Sequence, residues 1–301
     1  MPSVSVLMPV YNGEKYLAAA VESILAQAYR DFEFVILNDG STDGSMRILE
    51  RFQRRDPRIR VLSRENRGLV QTVNELIGFA RGEWVALMAQ DDLSLPERLA
   101  LQSDFLRRHP EVLCVGGCFE VIDAQGRYLT VLRQPEDDAE IQRLNLVGHN
   151  SIHAACVMVR RAPLLAAGGL NSEFYPSDDL DLWLRLGEVG KLANLRAAVI
   201  KYRVHSDSIS AQTQRRMRES ARRACESAWR RRGIECVFEA TCETRPGRDR
   251  TSRLAFMLQY GWWAFNSRQR QTAILYGWRA IRAMPLRSDG WRLLACALLK
   301  P

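Results

Sequence analysis

"FEFVILNDGSTDGSMRILERFQRR", residues 32–55, is the stretch on which the fold turns. Its opening "FEFVIL" is too short for a helix and rich in Phe, Val and Ile, so it reads as a buried strand. "NDGSTD" then interrupts the apolar run, and a helix begins near the second half of that cluster. The same alternation extends on both sides. "VSVLMPV" (4–10), "IRVL" (59–62) and "WVALMA" (84–89) read as further strands. Between them, "EKYLAAAVESILAQA" (14–28) places Leu17, Val21, Ile24 and Leu25 on one helical face, and "GLVQTVNELIGFA" (68–80) reads as another helix. Strands alternating with helices predict βαβ units, a mainly parallel sheet and right-handed crossovers.

In an open parallel sheet, ligands bind beyond the carboxyl ends of the strands. The four strands are followed by "PVYNGE", "NDGSTD", "SRENRG" and "AQDD", all polar and two of them densely acidic. No G-x-G-x-x-G follows the first strand and no P-loop lysine motif occurs, which excludes those two phosphate cradles. Carboxylates hold phosphates through a hard divalent cation, and Asp91 leaves the sheet where such a cation would sit. Ionised Asp39 and Asp43 can accept hydrogen bonds from a base edge or ribose hydroxyls, and Tyr11 offers a flat face for a base. Structural roles stand beside these: Asp39 and Asp43 as helix caps, Asp91 and Asp92 as turn residues before Pro96, Tyr11 as packing.

From residue 111 the pattern changes. "VLCVGGCFEVID" (112–123) and "RYLTVLR" (127–133) read as antiparallel strands, "HAACVMVRRAPLLAAGG" (153–169) as a strand entering a short helix, "SDDLDLWLRLGEVG" (177–190) as an amphipathic helix and "AAVIKYRVH" (197–205) as a last strand. Beyond Ser210 the chain reads as helices. Charge divides there too. From Arg215 onward 19 Lys and Arg face 7 Asp and Glu, a net +12, whereas the preceding part is net −4. That contrast predicts two jobs for two parts. The basic tail also carries Trp229, Trp262, Trp263, Trp278 and Trp291; a solvated face on packed helices and a membrane-surface contact both fit it. Nucleic-acid binding has no motif to support it. Seven cysteines without paired short spacings argue against a disulfide or zinc framework. Together with a start that lacks a basic n-region, they predict a cytoplasmic protein, peripheral at the inner face of the plasma membrane if the tail docks there.

"PVYNGEKYL", "NDGSTD", "MAQDDLSLPERL", "SDDLDLWLRL" and "YRVHSDSIS", in this order from about Ser3 to Ser210, resemble the family 2 glycosyltransferases of the GT-A fold. The resemblance implies an α/β, Rossmann-like GT-A domain over 1–210, with a nucleotide-sugar-binding half (1–110), an acceptor and catalytic half (111–210), and a helical extension over 211–301. It implies inverting transfer from a UDP- or dTDP-sugar to a saccharide or lipid-linked hydroxyl, in cell-surface or exopolysaccharide synthesis, with Mg²⁺ or Mn²⁺ as cofactor. Pro9, Tyr11, Glu14, Asp39, Asp43, Asp91 and Asp92 fall in its donor-binding motifs, with Asp91 on the metal. Ala89 stands where the family's D-x-D signature has its first aspartate. Asp178 and Asp179 fall in the E-D-x-D-x-W segment, with Asp179 at the catalytic-base position, and His205 matches a histidine near diphosphate and metal. Asp178 and Asp179 also fit a plain helix N-terminal charge pair, and His205 a structural histidine. A transferase fold that binds nucleotide sugar without turning it over is the competing expectation.

Overall fold

Val4–Val10 (β1) is apolar at every position except Ser5 and lies at the centre of the sheet, pairing in parallel with Phe32–Asp39 (β2) on one side and Trp84–Leu87 (β4) on the other. Ile59–Arg64 (β3) continues the parallel set beyond β2. β1 and β4 are buried on both faces and so are apolar on both, whereas β3, at the sheet edge, carries Arg60, Ser63 and Arg64. The computed structural model describes residues 1–205, 214–240 and 250–299. Among them the sheet has nine strands, in the order β3-β2-β1-β4-β8-β6-β9-β5 with β7 paired to β6. The additional strands are Leu93–Ser94 (β5), Val112–Asp123 (β6), Tyr128–Leu132 (β7), Met158–Arg160 (β8) and Lys191–Val204 (β9). Beyond β4 the pairings β4–β8, β6–β8 and β5–β9 are antiparallel, so the sheet is mixed.

Two cores lie on its two faces. Val4, Val6, Met8 and Val10 point to one, against Leu17 and Ile24 of Glu14–Leu25 (α1), Phe52 of Ser45–Arg55 (α2), and Leu99 of Arg98–Arg108 (α4). Leu7, Val35 and Leu37 point to the other. There they meet Leu76 of Leu69–Phe79 (α3), Ile141 of Asp138–Leu146 (α5), Leu164 of Arg161–Ala166 (α6), and Trp183 of Asp178–Leu186 (α7). The period-2 alternation of β1 sorts its side chains between these cores, and each fully buried large side chain stabilises by about 1.5–3 kcal/mol.

The chain divides into two compact units. The first comprises residues 1–119, 133–201 and 216–241. It includes most of Gln214–Arg232 (α8), whose Ala224, Cys225 and Ala228 pack on Leu180 and Leu184 of α7. This helix lies beyond the residue-210 boundary, yet it groups with the first unit because its small residues seat on α7. The second unit comprises residues 120–132, 202–215 and 242–301, with helices Arg250–Asn266 (α9), Arg270–Ala283 (α10) and Ser288–Leu299 (α11). Inside it, buried Asp123 accepts from Tyr276 Oη (3.1 Å) and Arg127 Nη1 (3.0 Å). No helix among the described residues is long and apolar enough to cross a membrane.

Candidate active site

The register of the parallel strands brings the ends of β1, β2, β3 and β4 to one rim, where Val10 is level with Asn38 and Asp39 with Arg64. The loops there are laced together by their own polar groups. The Gln90 side chain closes a two-way bridge with the Tyr11 backbone, accepting from Tyr11 N (2.9 Å) and donating to Tyr11 O (3.0 Å). Asn12 Oδ1 accepts from Thr42 N (2.8 Å), and Ser45 Oγ accepts from Gly13 N (2.9 Å). Glu14 and Asp43 exchange helix ends: Asp43 Oδ2 accepts from Glu14 N (3.0 Å) and Glu14 Oε2 accepts from Gly44 N (2.9 Å). These carboxylates therefore cap α1 and α2, and Asp43 also accepts from Ser45 N (3.0 Å). The Tyr11 ring is left 48% exposed above this fixed backbone, while Pro9 is half-buried in β1.

Asp39 is buried, with one oxygen accepting from Arg67 N (2.8 Å) and the other from Gly68 N (3.0 Å); the Arg64 guanidinium completes an ion pair. Burial works to raise its pKa, but the Arg67 N–H, the Arg64 guanidinium and the Thr72 hydroxyl outweigh it and hold the carboxyl below its ordinary value. Gly40, next in the chain, has φ +72°, and a Cβ there would lie 2.7 Å from Asn66 N. Only glycine lets the β2 loop approach the β3 loop this closely. Asp39 thus organises the Arg64–Gly68 loop.

Asp91 stands half-buried after β4, and Asp92 behind it is 1% exposed. Beneath them lies Arg98, a fully buried arginine that sequence reasoning passed over. Its Nη2 donates to Leu87 O (2.7 Å) and Val157 O (3.1 Å), and its Nε to Gln102 Oε1 (3.2 Å). Burial lowers its pKa to about 10, with the Asp92 charge among the groups acting the other way, so it stays cationic at neutral pH. The signal was present in the chain: Arg98, Gln102 and Leu106 recur every four residues on the core face of α4. Among the described residues no group of three His, Cys, Asp or Glu side chains could hold a metal ion. A single carboxylate at the rim suits instead an ion brought in with a diphosphate, since Mg²⁺ commonly binds through one or two carboxylates plus substrate phosphates. His205 directly follows β9, half-buried, and belongs to the second unit; residues 206–210 of its motif lie outside the described residues.

Asp178 and Asp179 open α7. Asp179 Oδ2 accepts from Asn150 Nδ2 (2.7 Å) and its Oδ1 from Leu180 N (2.8 Å). Asn150, a second residue missed from sequence, is brought there by Trp183, whose Nε1 donates to Ile152 O (3.0 Å). Asp181 is committed to Arg185 (2.7 Å), which in turn donates to Gly169 O (2.8 Å). Burial raises the pKa of Asp179, against the hydrogen bonds from Asn150 and Leu180 N. Burial, with the Asp179 and Asp181 charges adding, pushes Asp178 up to about 7. A carboxyl with a folded pKa above its unfolded value of 3.8 binds more protons when folded. Stability therefore falls as pH rises between about 4 and 7, and the full cost is present above about 7. Asp178→Asn should remove that cost, gaining up to about 4 kcal/mol at pH 8 and little at pH 4. Unfolding curves at the two pH values check it; an equal effect at both would show that Asp178 does not titrate between them.

The rim of the parallel strands thus carries loops tied by side-chain hydrogen bonds, with Tyr11 exposed and Asp91 half-buried there. The sequence profile described as Glycosyl transferase family 2 matches residues 5–166. The chain is 33% identical over 213 residues to a putative glycosyltransferase EpsE of Bacillus subtilis, covering 69% of this chain and 75% of that one. It is 29% identical over 210 residues to a chondroitin synthase of Escherichia coli, covering 70% of this chain and 30% of that one. Among solved structures, the mannosyltransferase PcManGT from Pyrobaculum calidifontis, in complex with GDP-Man and Mn²⁺, matches with a TM-score of 0.60 at 19% identity. That match covers all of this chain and 81% of the other. S. aureus TarS with UDP-GlcNAc matches at 0.55 and 16% identity, over 98% of this chain and 79% of that one. The chain belongs to glycosyl transferase family 2 and has the GT-A architecture.

Proposed function

We propose that this protein is an inverting transferase that moves a sugar from a nucleotide-diphosphate donor, UDP- or dTDP-linked, to a hydroxyl of a saccharide or lipid-linked acceptor. The products would serve cell-surface or exopolysaccharide synthesis. The observation that carries the reading is the Asp179 carboxylate, held by Asn150 and the start of α7 with its proton affinity raised. Asp179 takes the proton of the acceptor hydroxyl as that oxygen bonds to the anomeric carbon. The bond from that carbon to the diphosphate breaks on the opposite side, and its electron pair leaves with the nucleoside diphosphate. Burial and the Asp179 charge raise the pKa of Asp178 to about 7, so Asp178 takes up a proton while Asp179 stays ionised. Tyr11 supplies a stacking face for the base, and the loop organised by Asp39 faces the nucleoside. Mg²⁺ or Mn²⁺, held by Asp91 together with the donor's phosphates, would neutralise charge on the departing diphosphate.

A labelled panel of UDP-, dTDP- and GDP-sugars, each with Mn²⁺ or Mg²⁺, tests the donor through thermal stabilisation and the enzyme through product formation. Ala89, in place of a second carboxylate, favours the alternative of a nucleotide-sugar-binding module without turnover. Donor stabilisation with neither transfer nor hydrolysis on any acceptor class would establish that alternative. Asp91→Ala is expected to weaken Mn²⁺-dependent donor binding at least tenfold by calorimetry, while metal-free binding stays unchanged. Equal loss with and without Mn²⁺ would remove Asp91 from the metal.

A further inference from the structure

Within the second unit, α10 and α11 form a hairpin whose outer side is built unlike a solvated surface. Trp278 on α10 and Trp291 on α11 meet edge to face, centroids 6.4 Å apart, yet remain 47% and 50% exposed. Trp291 is fixed in place by donating its Nε1–H to Pro285 O (3.0 Å) in the connecting turn. At the tip of that turn Leu286 is fully exposed, and Leu298 and Leu299 continue the exposed apolar positions along α11. On α11, positions 288, 291, 295 and 298 recur at helical spacing and are all exposed, so the apolar groups lie along one stripe. The charge around them has one sign. From Thr251 to Leu299 there are seven arginines and a single acidic residue, Asp289, which is paired with Arg287 at 3.3 Å. Arg282, one turn beyond Trp278, and Arg292, beside Trp291, are exposed on the hairpin.

We infer that the α10–α11 hairpin is a docking surface for a lipid bilayer rich in anionic headgroups, with Trp278, Trp291 and Leu286 entering the headgroup–acyl boundary and Arg282 and Arg292 meeting the phosphates. Each part of the chemistry is needed. Indole rings are favoured at a membrane–water interface because an apolar body carries a polar N–H. A cationic, apolar-tipped helical surface binds in the interface plane, with strength set by buried apolar area and attraction to anionic lipid. A nucleic acid would use the arginines and the indoles, but it offers nothing to a fully exposed leucine at the tip. The inference is independent of the transfer reading, because vesicle binding is measured without donor or acceptor.

The test is sedimentation of the full chain with vesicles of phosphatidylcholine alone and of phosphatidylcholine with phosphatidylglycerol at equal parts, in 0.1 M salt. The expected result is binding to the anionic vesicles at least tenfold tighter than to the neutral ones, with a blue shift of tryptophan emission. Leu286→Glu should reduce that binding at least fivefold, and because Leu286 makes no buried contact this variant keeps the fold. Arg282→Gln with Arg292→Gln should reduce it by about fivefold per charge. Equal binding to both vesicle types, or wild-type binding by Leu286→Glu and by the arginine pair, would overturn the inference. So would a dimer in sedimentation velocity that Leu286→Glu dissociates, which would make the hairpin a contact between copies of this chain. Retention on DNA that exceeds vesicle binding and survives Leu286→Glu would overturn it as well.

Discussion

Asp179→Asn is expected to lower the rate of glycosyl transfer about 10³-fold while donor affinity stays within about threefold, since positioned general bases contribute roughly 10² to 10⁴. A loss of 10³ corresponds to about 4 kcal/mol of transition-state stabilisation. The substitution is nearly isosteric. Asn150 Nδ2 donates to one oxygen of Asp179 and Leu180 N to the other, so an asparagine can keep the Leu180 contact through its carbonyl oxygen. What disappears is the capacity to accept a proton. The pH dependence follows from the direction of the shift. Because burial raises the Asp179 pKa, the carboxylate form is lost as pH falls through a value above 3.8, and wild-type activity should decline on that acidic limb. Asn150→Ala removes a hydrogen bond that favours the charged form, so the limb should move to higher pH with a smaller loss at its plateau. Steady-state kinetics of the three proteins across pH 4–8 measure both effects. Turnover by Asp179→Asn within tenfold of wild type would assign proton removal to another group.

The parallel half of the sheet was legible because its strands are buried on both faces. β1, β2 and β4 are nearly continuous apolar runs that end in turn residues, and the intervening helices carry one apolar stripe each. β5 was not legible, because two residues, Leu93 and Ser94, contain no period; the strand exists because β9 is long enough to pair with it. The site divides in the same way. The carboxylates announced themselves as residue types, but not which of them the chain keeps for itself. Glu14 falls in a donor-binding motif, and Asp43 reads either as a donor contact or as a cap of the helix that follows it; in the structure each accepts from the start of the other's helix. Neither "YNGE" nor "STDG" could reveal that exchange by itself, since the partners lie about thirty residues apart. Gln90 and Trp183 act through backbone groups of distant loops and Asn150 through the Asp179 carboxylate, and their roles appear only when the chain has folded. The division of polar residues near a rim between ligand and loop is decided, then, by tertiary hydrogen bonds.

Asp39→Ala should be the most damaging substitution for stability at the rim, costing about 3 kcal/mol, the lower end of what breaking a buried ion pair costs. Three donors lose their acceptor at once: Arg67 N, Gly68 N and the Arg64 guanidinium. The effect stays at the lower end because Arg64 keeps Glu75 at 2.8 Å, so its charge is not left alone. Asp39→Asn retains one acceptor oxygen and should cost about half as much. The pH dependence has the opposite sign to that of Asp178. The folded pKa of Asp39 is lowered, so its contribution is complete above 3.8 and fades as pH falls through the lower folded value. The gap between wild type and Asp39→Ala should therefore be constant from pH 6 to 8 and narrow below about pH 4. Since the same carboxylate sets the Arg64–Gly68 loop, donor affinity should fall with stability, and Asp39→Asn should recover part of both. Unfolding measurements paired with donor titrations decide between two origins for this residue's importance. If Asp39→Ala loses donor binding but unfolds like wild type, Asp39 serves the nucleotide directly and the loop holds its shape by other means.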